Sequence, residues 1–210
     1  MITDIAVILM GYLLGSLPFA FVITKLSTGK DIRYEGDGNV GTRNALRIAG
    51  PLPGLLTAIL DLSKGAAAYW VGHRWGSSDM VLYLTGFALL LGHGFPIWLG
   101  WRGGKGLACA SGFLFLMWPY SVVAGLIVLL IARTLMSNFD LAFAIAAAVF
   151  FALTFVEGND LTRAIFVVLF LGMAGAKKLL DLPHERAILA RSSQAEGEAR
   201  EPEAQHQHTQ

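Results

Sequence analysis

The sequence has little charge and a single cysteine. Only 15% of its 210 residues are Asp, Glu, Lys or Arg, whereas an ordinary soluble domain has about 25%. Hydrophobic residues make up 55% of the chain, and this balance favours a membrane protein over a soluble one. The lone Cys109 excludes an intramolecular disulfide and a metal site built from several cysteines. We expect no bound metal, no cofactor and no nucleic acid partner.

Charge is absent from several long stretches of the chain. No Asp, Glu, Lys or Arg lies within 107–132, 141–156 or 164–176, and the run 80–101 holds one histidine and no charged residue. Uninterrupted apolar runs near 20 residues in length are typical of transmembrane helices. We therefore predict an all-α integral membrane protein. Its spans are expected at 4–26, 52–72, 80–101, 107–132, 139–156 and 161–178.

The span 107–132 has two interpretations. Pro119 lies near its middle, and proline interrupts a helix because it removes a backbone hydrogen bond and clashes with the preceding turn. The stretch is either one kinked helix or two short helices. Two short helices give about seven transmembrane or half-membrane helices, with the N-terminus outside and the C-terminus inside. This arrangement places nearly all Lys and Arg residues near span ends on one side, as the positive-inside rule requires, and we favour it.

A single membrane domain is predicted for residues 1–190. Asp4 stands where a signal peptide would carry basic residues, so the first span is interpreted as a retained helix. Residues 191–210 contain no large apolar side chain, and a polar segment of this kind cannot bury enough surface to fold alone. We predict that 191–210 is a disordered tail.

The first polar loop, 29–50, contains more glycine and arginine than a simple connector requires. Glycine permits positive φ and lets backbone N–H groups converge on an anion, and arginine can bind a phosphate through two N–H groups. A basic loop obeying the positive-inside rule would explain the arginines but not the glycines or asparagines. We interpret the loop as part of an anion-binding site with the candidate residues Gly36, Asn39, Gly41, Arg43, Asn44 and Arg47.

The second polar loop has the sequence WRGGKG, Trp101–Gly106. A lysine among glycines suits phosphate binding, but the loop is not a Walker A motif, because Leu107 stands where Ser or Thr should follow. This argues against a nucleotide triphosphatase. An anion-binding loop at a helix start and a tight basic turn are the two interpretations that remain.

Three ionisable residues within the predicted spans are candidates for the site, namely Asp61, Lys64 and His93. Asp61 and Lys64 are three residues apart and share a helix face. Charges inside a span usually face a polar interior or a functional site, and a mutual ion pair between helices is the alternative. His93 is close to the second loop in sequence and is either a site residue or a hydrogen-bonded core residue. Cys109 needs an adjacent base to act as a nucleophile, and we interpret it as a packing residue.

Taken together, these stretches resemble the bacterial membrane acyltransferases that transfer an acyl group from acyl phosphate to glycerol 3-phosphate. The matching segments cover most of residues 11–112 and are GSLPFAFVITKL with GKDIR, GDGNVGTRNALR, LDLSKG and GHGFPIWLGWRGGKG. The resemblance implies a seven-helix protein of the bacterial inner membrane whose active face is cytoplasmic. It also implies a role in phospholipid synthesis, with acyl phosphate and glycerol 3-phosphate as substrates and no cofactor.

The resemblance further implies the roles of individual residues. Arg47 would hold the acceptor phosphate. Arg47, Lys105 and His93 would be the catalytic residues. Asp61 and Lys64 would flank the pocket. A ring of Arg47, Lys64 and Lys105 would stabilise charge that develops on the acyl oxygen and on the departing phosphate. The second loop would be a phosphate loop composed of Gly103, Gly104, Lys105 and Gly106.

The sequence departs from the family pattern at several positions. Asp37, a further candidate substrate-binding residue, replaces a serine, and Arg43 lies in GTRN where the family has GATN. Arg43 would either pair with Asp37 or hold another group. The family's third motif is not recognisable in AKKLLDLPHERAIL, and Ser137 is the nearest candidate for a serine expected after the fifth segment. The alternatives are a different phosphorylated acceptor, no activity, or a transporter of small anions or polyol phosphates.

Overall fold

The computed structural model describes residues 1–157 and 161–207, with side chains up to residue 191. Within these residues the fold contains helices and no β-strand, which confirms the all-α prediction. Two 3₁₀ turns, Ile32–Tyr34 and Ile97–Leu99, lie in the loops. The α-helices are α1 (Ile2–Ser16), α2 (Phe19–Thr28), α3 (Thr42–Ala49), α4 (Pro51–Trp75), α5 (Asp79–Gly94), α6 (Leu107–Met117), α7 (Pro119–Leu135), α8 (Phe139–Glu157) and α9 (Leu161–Gln207).

The first predicted span, 4–26, is wrong as a single helix. It forms α1 and α2, which are separated at Leu17 and Pro18, where Leu17 has the extended angles φ −61° and ψ 116°. Proline lacks the N–H group that would continue the helix. The carbonyl groups at the end of α1 therefore need donors from elsewhere in the fold.

The span 107–132 forms two helices, which confirms the favoured interpretation. α6 ends at Met117 and α7 begins at Pro119, with Trp118 between them in a non-helical conformation. A proline in the first turn of a helix costs no hydrogen bond, because that N–H group has no partner within the helix. α7 has 17 residues and is longer than half the predicted span because it continues to Leu135.

The last predicted span, 161–178, continues well beyond its expected end. α9 begins at Leu161 and runs to Gln207, so its second half leaves the apolar part of the chain and reaches the polar loops. The predicted division at residue 190, between a membrane domain and a polar tail, stays a prediction because α9 runs through it.

The core of the bundle is an aromatic cluster between α5, α6 and α9. Phe113, Phe166 and Phe170 are at most 3% exposed. The ring of Phe166 stacks on Tyr83 with centroids 4.6 Å apart and lies 5.0 Å from that of Phe170. Such ring pairs contribute about 0.5–1.5 kcal/mol each beyond the area they bury. This cluster fixes α9 against α5 and so determines where the second half of α9 lies.

Glycines bring two pairs of helices into close contact. A Cβ atom on Gly65 of α4 would overlap the Cys109 carbonyl of α6, and one on Gly112 of α6 would overlap the Leu62 carbonyl of α4. Small residues at helix interfaces are the usual means of close packing in a bilayer, where the hydrophobic effect does not drive helices together. The same reciprocal arrangement joins α1 to α5.

Replacing Gly112 with alanine should therefore separate α4 from α6. Overpacking of this kind typically costs about 1–3 kcal/mol, and we expect a lower midpoint of thermal unfolding for the purified variant in detergent. Gly172→Ala is the matched control, because an added Cβ there meets no atom within 4 Å. Equal midpoints for the two variants would contradict the packing described.

The helix bundle has an apolar surface and two polar ends. By length and hydropathy, three described stretches could cross a membrane, Ile2–Thr28, Asp79–Leu99 and Phe139–Glu157. Large apolar side chains on the helix faces are exposed, among them Leu130 at 68% and Leu169 at 56%. At one end, the Ser77 N–H donates to Asp4 and the Ser121 hydroxyl donates to Glu157 at 2.6 Å. The glycine-rich loops occupy the opposite end.

Candidate functional site

Four segments of the chain meet at the second polar end. They are the first loop (29–41), the second loop (95–106), the start of α8 and the part of α9 from 177 to 188. Arg33 joins the two loops by donating from Nη1 to the Leu99 carbonyl at 3.0 Å. Lys178 joins α9 to α8 through an ion pair with Asp140 at 2.5 Å. The structure therefore brings together two loops whose contacting residues, Arg33 and Leu99, are 66 positions apart in sequence.

An ion pair within the first loop sets its start. Asp31 accepts from the Arg33 backbone N–H at 3.1 Å and from its guanidinium at 2.6 Å and 3.0 Å. These hydrogen bonds hold the pKa of the Asp31 carboxyl below its ordinary value and raise the pKa of Arg33. Because the carboxylate fixes the guanidinium, Arg33 serves as a brace between the loops.

The rest of the first loop is folded around Asn44. This residue is 1% exposed, its Nδ2 donates to the carbonyls of Ile32 and Glu35, and its Oδ1 accepts from the Asp37 N–H. The side-chain amide is thus committed to the backbone of the loop. Asn44 is therefore placed to shape the site, while its predicted contact with substrate stays a prediction.

Two glycines allow the loop to turn at this point. Gly36 has φ +62° and Gly38 has φ +69°, a region that L-residues rarely adopt. Between them, Asp37 accepts from the Asn39 N–H at 3.1 Å through Oδ1. This side chain-to-backbone turn is one that serine also makes, so Asp37 can take the place of the serine that the resemblance leads us to expect.

The arginines of α3 lie on its exposed face. Gly41 precedes the helix, and its carbonyl accepts from the Ala45 N–H at 3.0 Å. Arg43 places its guanidinium 5.0 Å from the centroid of the Phe139 ring at the start of α8. Arg47 follows one turn later and is also exposed. Both cations are therefore available to a ligand at this end of the bundle.

The second loop is pressed against its neighbours. Gly103 and Gly104 donate their N–H groups to the carbonyls of Gly94 and His93, at 3.1 Å and 3.0 Å. A Cβ atom on Gly103 would overlap the His93 carbonyl, and one on Gly104 would overlap the Val40 carbonyl of the first loop. These glycines are required for the two loops to touch. Since their N–H groups are already used, their predicted phosphate contact stays a prediction.

Lys105 extends from this rigid loop toward α9. Its side chain is 19% exposed, and its Nζ lies 3.4 Å from Glu185 Oε2. Gly106 follows with φ +80° and begins α6, accepting from the Ala110 N–H at 2.8 Å. The backbone of the loop is thus held independently of the Lys105 ammonium, which can exchange its partner.

The second half of α9 covers both loops, and sequence reasoning missed its role. The His184 ring donates from Nε2 to the Arg33 carbonyl at 3.2 Å, and Ile188 is 5% exposed and packs against Gly38. Lys177 is buried and pairs with Asp181, one turn along the same helix. The spacing of residues 177, 181, 184, 185 and 188 on one helix face was the signal available in the sequence.

Asp61 and Lys64 form a buried ion pair, 2.9 Å between Oδ1 and Nζ. The Lys64 ammonium also donates to the carbonyls of Gly15 and Leu17, at 3.1 Å and 2.9 Å. These carbonyls lie at the break between α1 and α2, so Lys64 supplies the donors that the break requires. With two N–H groups donated to these carbonyls and its charge paired with Asp61, Lys64 stabilises the fold beneath the site, and its predicted substrate contact stays a prediction.

His93 and Cys109 pack beside this ion pair. His93 is 7% exposed, its Nδ1 lies 3.2 Å from Cys109 Sγ, and its Nε2 faces Gly104. The ligand-type atoms of Asp61, His93 and Cys109 lie within 4.8 Å of one another. Lys64 already balances the charge of Asp61, so a dication here would add uncompensated charge to a buried place. The cluster is explained as a polar layer under the second loop.

A large apolar cavity opens beside the loops. It lies between α6, α7, α8 and α9 and contains about 740 Å³ of empty space, part of which is open to the surroundings. Its walls begin at Leu107, two residues after Lys105, and include Phe139, on which Arg43 stacks. Ser137 is exposed in the adjoining turn between α7 and α8. The arrangement therefore offers a cationic entrance to an apolar chamber, which suits a ligand with an anionic head and a hydrocarbon chain.

Comparison with known proteins gives consistent matches. A family model described as glycerol-3-phosphate acyltransferase matches residues 5–184. Glycerol-3-phosphate acyltransferase 1 of Dehalococcoides mccartyi is 39% identical over 182 residues, which is 83% of this chain and 86% of the relative.

Two solved structures are also similar. PlsY, an integral membrane glycerol 3-phosphate acyltransferase, in its glycerol 3-phosphate form aligns with a TM-score of 0.77 and 31% identity. Its lysophosphatidic acid form aligns with a TM-score of 0.75 and 29% identity. Both alignments cover 90% of this chain and 93% of the solved chain.

Proposed function

The chain belongs to the glycerol-3-phosphate acyltransferase family, and on that premise we propose that acyl phosphate is its acyl donor. It is an integral membrane acyltransferase of phospholipid synthesis that acylates glycerol 3-phosphate. In the proposed reaction a hydroxyl oxygen of glycerol 3-phosphate attacks the acyl carbon, and the bond from that carbon to the phosphate oxygen breaks. The products are lysophosphatidate and inorganic phosphate, which takes up the hydroxyl proton.

The position of Lys105 carries this proposal. Its ammonium lies where the two glycine-rich loops and α9 meet, and the apolar cavity begins two residues later at Leu107. A phosphate on Lys105 would therefore have its acyl chain directed into the cavity. The ammonium would stabilise charge on the acyl oxygen and on the departing phosphate. Acyl phosphate is already activated, so no nucleophilic side chain is needed.

Glycerol 3-phosphate would bind on the side of α3. Arg47 is proposed to hold its phosphate, and Arg43 supplies a second cation at the cavity entrance, where it stacks on Phe139. Asp37 lies in the first loop, shortly before α3. Its negative charge would weaken phosphate binding unless an arginine neutralises it. The cavity entrance is thus the place where this chain differs most from the family pattern in charge.

We place the site on the cytoplasmic side of the inner membrane. If α1 and α2 count as one crossing and the short α3 is left out, the described residues would provide seven membrane helices. Of these, α6 has 11 residues and is too short to span a bilayer alone. Most Lys and Arg residues near helix ends lie at the end with the loops, whereas Arg74 and Arg163 lie at the other. The positive-inside rule then orients the N-terminus outward.

A choice of donors tests the proposal. Purified protein in detergent would be given glycerol 3-phosphate with palmitoyl phosphate, palmitoyl coenzyme A or palmitoyl acyl carrier protein, and lysophosphatidate would be measured by mass spectrometry. We expect product from palmitoyl phosphate alone. Product from a thioester at an equal rate would refute the proposed donor while leaving the acyltransferase activity intact.

The cavity should set the preference for acyl-chain length. Ala147 lines the cavity on α8, and phenylalanine there would shorten it. Each methylene that an apolar pocket cannot accept costs about 1–3 kcal/mol, or about 10–200-fold in kcat/KM. We therefore expect Ala147→Phe to lose activity with hexadecanoyl phosphate and to retain it with decanoyl phosphate.

The neighbouring residue provides the control for this prediction. Ala148 is exposed on the outer face of α8 and does not line the cavity. Ala148→Phe should leave the ratio of kcat/KM for the two donors unchanged. If Ala147→Phe also leaves that ratio unchanged, the acyl chain does not occupy this cavity.

A further inference from the structure

Lys105 is already paired with an anion of the protein itself. Glu185 on α9 places its Oε2 atom 3.4 Å from the Lys105 ammonium. This carboxylate lies where the proposed function puts a substrate phosphate. The contact spans 80 residues of sequence, and the reaction chemistry does not require it.

Two anchors fix the position of this carboxylate. His184 precedes Glu185 and donates to the Arg33 carbonyl, and Ile188 follows one turn later and packs against Gly38. Because α9 is held to the first loop on both sides of Glu185, the carboxylate stays near Lys105 in the absence of ligand. Its proximity is built into the fold.

The ion pair itself is loose. Its 3.4 Å separation exceeds the approximately 2.7–2.9 Å of a strong charge-assisted hydrogen bond. The side chains are 19% and 24% exposed, so water screens part of the attraction. A mostly apolar cleft between α5 and α9 adjoins the ammonium, and its lining includes Gly104, Lys105 and Lys177. It contains about 370 Å³ of empty space, part of which is open to the surroundings. A ligand with greater charge can therefore displace Glu185.

We propose that Glu185 is an intrinsic competitor of the substrate phosphate for Lys105. The Glu185 carboxylate pairs with the Lys105 ammonium in the ligand-free enzyme. A bound phosphate displaces it, and the ion pair forms again when inorganic phosphate leaves. Glu185 acts through Lys105 and touches no reacting atom, so it is a positioning residue. The inference rests on the proposed function, because it takes Lys105 as the phosphate ligand.

The physical consequence is weaker binding of every phosphate at this position. Two anions close to one ammonium repel each other, and a phosphate must either displace Glu185 or bear this repulsion. The second loop stays in place when the pair opens, because Gly103 and Gly104 hold it to α5. Glu185 therefore raises KM for the phosphate that Lys105 binds and also hastens the release of inorganic phosphate.

Glu185→Gln tests the inference, because it removes the charge and keeps the shape. We expect KM for acyl phosphate to fall about three- to tenfold, where tenfold corresponds to about 1.4 kcal/mol. Inhibition by inorganic phosphate should strengthen by a similar factor, and kcat should stay the same or fall. Glu185→Asp, which keeps the charge, should restore values close to those of the original protein.

Two variants separate this effect from a general change in charge. Asp181→Asn removes a carboxylate one turn earlier on α9 that pairs with Lys177, and Glu35→Gln removes one from the first loop that pairs with Lys30. Glu35→Gln should not change phosphate inhibition by more than about twofold, the size of a weak surface interaction. Asp181→Asn frees Lys177, which lines the cleft beside Lys105, so any effect it has should leave the Lys105–Glu185 pair and the response to Glu185→Gln unchanged. A fall in KM shared by both controls would overturn the inference.

Binding of inorganic phosphate, measured by calorimetry on the full-length protein, gives a readout without turnover. Tighter binding by Glu185→Gln supports the inference. Equal binding, or weaker binding with a raised KM, overturns it and assigns Glu185 the role of a clamp that orients Lys105. If the original protein makes no lysophosphatidate, the proposed function fails, but this titration still decides the role of Glu185.

Discussion

Lys105→Gln is expected to lower kcat by about a hundred- to a thousandfold, the loss usually seen when one donor to a developing anion is removed. Lys105 is the cation at the junction of the two loops and α9, two residues before the cavity wall begins at Leu107. Glutamine keeps most of the side-chain length but cannot balance the charge of the departing phosphate. The rate of lysophosphatidate formation from acyl phosphate would be measured at saturating substrate.

Two further variants make this prediction specific to the position of the charge. Lys105→Arg keeps the cation and should lose less activity than Lys105→Gln. Lys30→Gln removes a lysine from the first loop that is 56% exposed and pairs with Glu35, and it should leave kcat within about twofold, because such surface pairs are weak. If Lys105→Gln retained more than about a tenth of the activity, the lysine would not carry the transition-state charge proposed here.

Asp61→Leu is expected to destabilise the protein by about 3–5 kcal/mol, because it leaves the Lys64 ammonium buried without a counter-ion. Lys64 is 4% exposed and cannot reach water without moving away from the carbonyls of Gly15 and Leu17. We expect a large fall in the midpoint of thermal unfolding in detergent. Activity should fall with it, because the break between α1 and α2 lines one small cavity together with Lys64, His93 and Gly103 of the second loop.

The double variant Asp61→Leu with Lys64→Met shows whether charge is the cause. Removing both charges should recover part of the lost stability, and the remaining loss reflects the two carbonyls that no longer have a donor. Glu35→Gln, which breaks an exposed pair, should cost less than about 1 kcal/mol. A double variant no more stable than Asp61→Leu would show that packing, and not the buried charge, determines the effect.

The sequence predicted those parts of the fold that depend on local chemistry. Uncharged runs marked the apolar helices, and Pro119 marked the break between α6 and α7, because proline acts on its own helix turn. The same reasoning applied to Pro18 would have predicted the break between α1 and α2. That break was missed because the run 5–26 carries a single charge, Lys25 near its end, and hydropathy does not register an interrupted backbone.

The site was predicted only in part, because only some of its features depend on local sequence. Glycines and arginines in the two loops indicated an anion site, and the structure brings these loops together. The roles of Lys64 and Asn44 depended on partners distant in sequence, namely the carbonyls of Gly15 and Leu17 and the backbone of 32–37. A polar residue has the same sequence signature whether it binds a ligand or satisfies a buried backbone group.

The contribution of α9 was the hardest to predict. The resemblance found in the sequence covers most of residues 11–112 and stops before α9. The residues of α9 that reach the loops are spread along a helix face and do not form a contiguous motif. Glu185 has meaning only beside Lys105, which is 80 residues away. Long-range pairs of this kind follow from the packing of the aromatic cluster, which fixes α9 against α5 and α6.

Acyl transfer by the purified protein tests the central claim most directly. Inorganic phosphate released from palmitoyl phosphate would be measured with and without glycerol 3-phosphate, and lysophosphatidate would be counted in the same samples. We predict release that depends on glycerol 3-phosphate, with equal amounts of phosphate and lysophosphatidate, and almost none from Lys105→Gln. Phosphate release that is independent of glycerol 3-phosphate, or that yields no lysophosphatidate, would contradict the account.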